Sequence, residues 1–166
     1  MNLIKKHNMF KSRIRLRRPT TVILHHTAGG SISGAESALK SRGLGYHYMI
    51  DKDGTVVEYV PTNRRCSHAY RNNTGTVGIS YVGGGKFGPI NDSQQKALKE
   101  LLVHIRKLDP KIKNLTGHKH VDPRGWKIDP RWPGEPRDGV NWTIDKEFME
   151  QLAMDTGMAL KLKKRR

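Results

Sequence analysis

"GYHYMIDKDGTVVEYV", residues 45–60, carries the clearest local signal in the chain. Two runs rich in aromatic and β-branched residues, "GYHYMI" and "TVVEYV", flank "DKDG", where Gly54 can supply the positive φ of a tight turn. The stretch therefore reads as a β-hairpin over Tyr46–Val60. Upstream, "TTVILHH" at residues 20–26 is apolar and β-branched after Pro19, and reads as a buried strand. "SGAESALKSRG" between them predicts a short helix, with Ser33 as candidate N-cap and Gly43 as the stop. Downstream, "TVGISYVGGG" is a strand running into a glycine turn, too poor in lysine for a phosphate loop. From Ser93, the apolar residues Ala97, Leu98, Leu101, Leu102, Ile105 and Leu108 form one helical stripe, capped by Asp92 or Ser93 and ended by Pro110. "IKNLTG" is a short strand, residues 117–142 read mostly as loop, and a last helix runs from about Thr143 with Ile144, Phe148, Met149, Leu152 and Ala153 on one face. Strands interleaved with helices, plus one hairpin, predict an α/β fold: a single domain with a central mixed β-sheet flanked by helices.

The chain has 166 residues, enough for one buried core. Its charge is unevenly spread. Residues 1–18 and 157–166 carry 12 of the formal +16 and no acid, which leaves +4 for residues 19–156. The organisation expected is thus a cationic N-terminal arm (1–18), a folded domain (19–156) and a basic C-terminal tail (157–166). The tails imply an anionic partner. Cys66 is the only cysteine, which excludes an intramolecular disulfide, and it reads as a small buried residue. The basic N-terminus lacks the ~7–15-residue apolar run of a signal peptide, and no segment approaches the ~20 apolar residues of a membrane span.

The densest chemistry lies in "GHKHVDPRGWKIDPRW", residues 117–132. In a strand, neighbouring side chains face opposite ways, so only one of His25 and His26 can address a given site. A hydrolytic zinc centre takes three ligands of the His, Asp, Glu or Cys type, from separate segments, and leaves a fourth position for water. His25, His118 and Asp129 can meet that need, with His120 or Asp122 as alternatives. Trp126, Trp132 and Trp142 either stack on sugars or pack the late loops.

"VILHHTAG", "GYHYMIDKDGTVVE", "SHAY…NNTGTVGISYVGGG" and "GHKHVDPRGWKIDP" occur in the order and rough spacing of zinc-dependent N-acetylmuramoyl-L-alanine amidases of type 2. The chain resembles that family, which includes phage lysozymes (endolysins), a cell-wall recycling amidase and the animal peptidoglycan recognition proteins, over about residues 20–155. The resemblance implies a zinc site in a surface groove, with His25, His118 and Asp129 as ligands and Tyr46 and Lys127 as catalytic groups. His68 is implied more weakly as a substrate contact, and His47 and Asn72 as groove-lining neighbours. The recycling enzyme's catalytic glutamate has no counterpart in "GISYVGG", which places the weight on Tyr46. An acid two residues after the second ligand is usual in the family, and this chain has His120 there.

The function expected is that of an endolysin-like peptidoglycan hydrolase that uses zinc-activated water to cleave the amide between N-acetylmuramic acid and L-alanine. Peptidoglycan is the expected partner of the groove. Lipopolysaccharide, teichoic acid or phospholipid is the expected partner of the tails, which are read as docking elements that hydrolysis itself does not need. The protein is expected to be a monomer, made in the bacterial host cytoplasm and released to the wall at lysis. Two other classes remain: a non-catalytic peptidoglycan-binding protein of the same fold, and a nucleic-acid binder using its basic tails. The second does not account for the His/His/Asp set.

Overall fold

The computed structural model describes residues 1–14, 17–121 and 146–162. The strands among these residues are β1 (Leu3–Lys5), β2 (Arg13–Ile14), β3 (Thr21–His26), β4 (Tyr48–Ile50), β5 (Val56–Glu58), β6 (Arg64–Arg65), β7 (Thr76–Tyr81), β8 (Asn114–Gly117) and β9 (Ala159–Leu160). The α-helices among these residues are α1 (Ile32–Ser41), α2 (Asp92–Leu108), α3 (His118–Val121) and α4 (Lys146–Thr156). Seven strands form one sheet in the order β1-β5-β4-β7-β3-β8-β9, while β2 and β6 pair separately. Only β4 and β5, the two arms of the hairpin, pair antiparallel within that sheet; all its other neighbours are parallel. The mixed sheet of the sequence reading is therefore present, and the hairpin is what makes it mixed. Gly54 has φ 87° in the turn.

Strand parity divides the molecule. Val22 and Leu24 of β3, Tyr48 and Ile50 of β4, and Val77, Ile79 and Tyr81 of β7 face α2 and α4, which contribute Leu98, Leu101, Leu102, Ile105, Met149 and Leu152 to one core. The alternate residues, Met49 and Val57 among them, face α1 with Ala35 and Leu39 in a second core. His25, Gly78 and Ser80 have this second parity, so the histidine at the end of β3 emerges on the α1 side and not among the leucines.

Both main helices begin earlier than their sequence suggests. Ser31, extended at φ −147°, caps α1 by accepting from Gly34 N–H at 3.2 Å. Asn91 caps α2 through a reciprocal box: its side chain accepts from Gln94 N–H at 2.9 Å, and Gln94 Oε1 accepts from Asn91 N–H at 3.1 Å. The Gln94 amide also donates to Val82 O at 2.9 Å, which ties the start of α2 to the end of β7. The cap thus falls where the chain turns extended and a partner three residues on can answer it.

Pieces of both basic ends pack on this body. β1 runs parallel to β5 at one sheet edge and β9 parallel to β8 at the other. Phe10 is 5% exposed and belongs to the second core, with its ring 4.8 Å from that of Tyr59. Lys6 pairs with Glu36 at 2.8 Å and His7 with Glu58 at 2.7 Å. No helix among the described residues is long and apolar enough to cross a membrane.

Candidate active site

The carboxyl ends of parallel β3 and β8 deliver the two histidines of the site. His25 is the penultimate residue of β3, and His118 opens α3 directly after β8, which pairs with β3 through Leu24 and Gly117. Adjacent parallel strands ending together leave these side chains in contact: His25 Nδ1 lies 3.0 Å from His118 Nδ1, and the ring centroids are 4.5 Å apart. Tyr46, in the extended entry to β4, stands beside them with its ring 4.8 Å from that of His25. These residues line a groove of about 480 Å³ whose walls also include Arg42, Tyr70 and Arg71.

His25 is 2% exposed. Burial, then the proximity of His118, His68, His26 and His47, holds its pKa well below the ordinary 6.5, so the ring is neutral at pH 7. On the far side, His25 Nε2 lies 3.1 Å from His68 Nδ1, and His68 Nε2 lies 3.1 Å from Thr76 Oγ1. The Thr76 hydroxyl in turn donates to Asn72 O. The His68 backbone is pinned by Asn73, whose Oδ1 accepts from the N–H groups of His68 and Ala69 at 2.8 Å each.

His26, of opposite parity, lines the groove without meeting His118 in the described contacts, and its Nδ1 accepts from Ala28 N–H at 3.1 Å. His47 is fully buried and does not line the groove: Gly78 N–H donates to its Nδ1 at 2.9 Å, and its Nε2–H donates to Arg64 O at 3.0 Å. The Cys66 thiol, itself buried, lies 3.3 Å from that Nδ1. Asn72 faces Val121 O, to which its amide donates at 3.0 Å. His120 is not among the groove's described lining residues, whereas His118 is.

Lys127, Asp129, Asp122 and the three tryptophans lie outside the described residues. Among the described residues, no group of three His, Cys, Asp or Glu side chains is arranged to hold a metal ion. The donor set present nevertheless suits zinc. Two ligands of a tetrahedral Zn²⁺, each ~2.0–2.1 Å from the metal, stand ~3.3 Å apart. The paired Nδ1 atoms are close to that spacing, and a neutral His25 can present a lone pair without first losing a proton.

Sequence reading missed Thr76, Asn73, Arg42, Tyr70 and Arg71. Tyr70, Asn73 and Thr76 lie within the quoted motif "SHAY…NNTGTVGISYVGGG" without being singled out, and the meeting of Arg42, Tyr70, Arg71 and Asn73 in the groove wall, with Thr76 behind His68, appears only once β7, α1 and the 67–73 loop are assembled.

A groove at the carboxyl ends of parallel strands, lined by the paired imidazoles of His25 and His118 with the Tyr46 phenol beside them, is the site of a peptidoglycan amidase or peptidoglycan-recognition class of protein. The chain belongs to the N-acetylmuramoyl-L-alanine amidase family (Amidase_2), whose model matches residues 15–132. It is 30% identical over 115 residues to peptidoglycan-recognition protein SD of Drosophila melanogaster, an overlap covering 60% of this chain and 62% of that protein. The match thus spans less than two thirds of that curated relative. Among solved structures, the endolysin N-acetylmuramoyl-L-alanine amidase LysCS from Clostridium intestinale URNW superposes with a TM-score of 0.64 at 25% identity, covering 74% of this chain and 84% of that one. The Ph2119 endolysin from Thermus scotoductus MAT2119 bacteriophage Ph2119 does so with a TM-score of 0.62 at 26% identity, covering 93% and 99%.

Proposed function

We propose that the protein is a zinc-dependent peptidoglycan amidase of the endolysin kind, cleaving the bond between the lactyl group of N-acetylmuramic acid and L-alanine. The observation that carries this reading is the facing pair His25 Nδ1 and His118 Nδ1, 3.0 Å apart on the groove floor beside Tyr46. His25 and His118 would hold the metal with Asp129. A bound Zn²⁺ lowers the pKa of water to ~7 and polarises the scissile carbonyl.

The chain's own residues do the rest. Tyr46, whose ring stands 4.8 Å from that of His25 in the groove lining, would orient the attacking water and exchange a proton with it. Lys127, two residues before Asp129 in sequence, would place a cation toward the oxygen that gains charge on attack. The 67–73 loop and α1 line the groove, with Arg42 and Arg71 among its walls, and would seat the stem peptide. The basic ends would dock the enzyme on anionic envelope polymers or lipid once host lysis releases it to the wall.

The test is turbidity clearing of purified peptidoglycan with and without a chelator, followed by analysis of the new ends. Free L-alanine amines without new reducing sugars, lost on chelation and restored by Zn²⁺, are expected. Tight peptidoglycan binding with no new ends would favour a recognition protein, a reading supported by the similarity to peptidoglycan-recognition protein SD.

A further inference from the structure

We infer that His68, Thr76 and the Asn72 carbonyl form a proton-ordered relay that fixes the tautomer of His25, making His68, which also lines the groove, a positioning residue for the metal ligand. The inference rests on the zinc reading above. It follows from counting protons along the chain of hydrogen bonds. A backbone carbonyl only accepts, so the Thr76 hydroxyl spends its single proton on Asn72 O. Toward His68 Nε2, 3.1 Å away, the same hydroxyl can then only accept, so Nε2 carries a proton. With His68 neutral, its imidazole has one N–H, which leaves Nδ1 as an acceptor. The group facing it at 3.1 Å, His25 Nε2, must therefore be the donor. His25 is left with its proton on Nε2 and its lone pair on Nδ1, the nitrogen that faces His118.

Both ring nitrogens of His68 are thus engaged within the protein, and the residue is 8% exposed. The surroundings are shaped to hold this ring. A Cβ on Gly78 would lie 2.5 Å from His68 Cγ and Nδ1, so β7 must carry glycine where the imidazole crosses it. Asn73 Oδ1 anchors the His68 backbone from the other side. A histidine whose second nitrogen donates to a fixed acceptor is locked in ring orientation and tautomer, and loss of such a partner typically weakens metal affinity ~10–100-fold.

The experiment uses the full chain and two readouts independent of turnover. Zinc affinity is measured by competition with a chromophoric chelator for wild type, Thr76→Val and Thr76→Ser, with urea unfolding of each as a check on folding. Side-chain ¹⁵N NMR of the wild type, zinc-loaded and zinc-free, reports which nitrogen of each histidine carries the proton. The relay expects Nε2-protonated His25 in both forms, with affinity ~10–100-fold weaker in Thr76→Val and restored in Thr76→Ser. A wild type that binds zinc with His25 protonated on Nδ1, or a folded Thr76→Val with unchanged affinity, overturns the relay and leaves the amidase reading standing. A wild type that binds no zinc brings down both.

Discussion

Replacing Phe10 with alanine tests whether the basic N-terminal arm belongs to the fold. The ring is 5% exposed and packs at 4.8 Å on Tyr59, whose hydroxyl donates to Glu36 of α1 at 2.6 Å. It also lies against Gly45: a Cβ there would sit 2.5 Å from the Phe10 ring, so the residue before Tyr46 is glycine where the aromatic needs the room. Removing a well-packed phenylalanine costs ~3–5 kcal/mol, against a total stability of ~5–15 kcal/mol for a domain. With a urea slope of ~2 kcal/mol per molar, a loss of ~4 kcal/mol moves the unfolding midpoint down by ~2 M. The void opens behind Gly45 and α1, so hydrolysis of purified peptidoglycan should fall along with stability. Deleting residues 1–18 should cost at least as much, because β1 and the Lys6–Glu36 pair go too. The sequence reading of a docking arm that hydrolysis does not need leads to the opposite expectation. A Phe10→Ala midpoint within ~0.3 M of wild type, with full activity, would refute the packing argument.

Charge can be separated from packing. Changing the exposed Lys5, Lys11, Arg13, Arg17 and Arg18 to glutamine should spare hydrolysis of purified wall but weaken binding to intact cells, with the difference vanishing near 1 M salt, where screening shortens to ~3 Å. Equal cell binding at low salt would sink the docking role. Tyr46→Phe and Lys127→Ala should keep zinc and fold but lose ~10²–10⁴-fold in turnover; normal rates in both would remove the proposed chemistry. In the zinc-free protein, the depressed pKa of His25 means that the unfolded chain takes up a proton below about 6.5 that the folded chain refuses. Stability should therefore be full above that pH and fall below it, by up to ~1.4 kcal/mol per pH unit from this group. Urea midpoints at pH 7.5 and 5.5 measure the slope, and a His25→Leu protein with an undiminished slope would show that other groups cause it.

Local physics made much of the fold legible. The β-branched and aromatic runs of β3 to β5 and β7, and the 3.6-residue stripe of α2, each state their element type, and parity along "VILHH" separates His25 from His26 without any tertiary knowledge. Four ordered motifs pointed to the family, because spacing along the chain survives in sequence even where contacts do not. Other features needed the assembled sheet. Phe10 sits in a run of cations that reads as a docking arm outside the fold, yet its ring is buried in the body, because β1 finds the open edge of β5 and carries the following residues over Gly45. His47 and His68 are equally polar in sequence. Only the position of β7 decides that one is sealed beneath the groove while the other meets His25. Thr76, 51 residues from His25, reads in sequence only as the first residue of a strand, since a hydroxyl becomes part of a proton relay only through neighbours that hydrogen bonding across strands brings within reach. Residue type and period are local properties of the chain; which side chains share a proton is set by distances that only the closed structure creates.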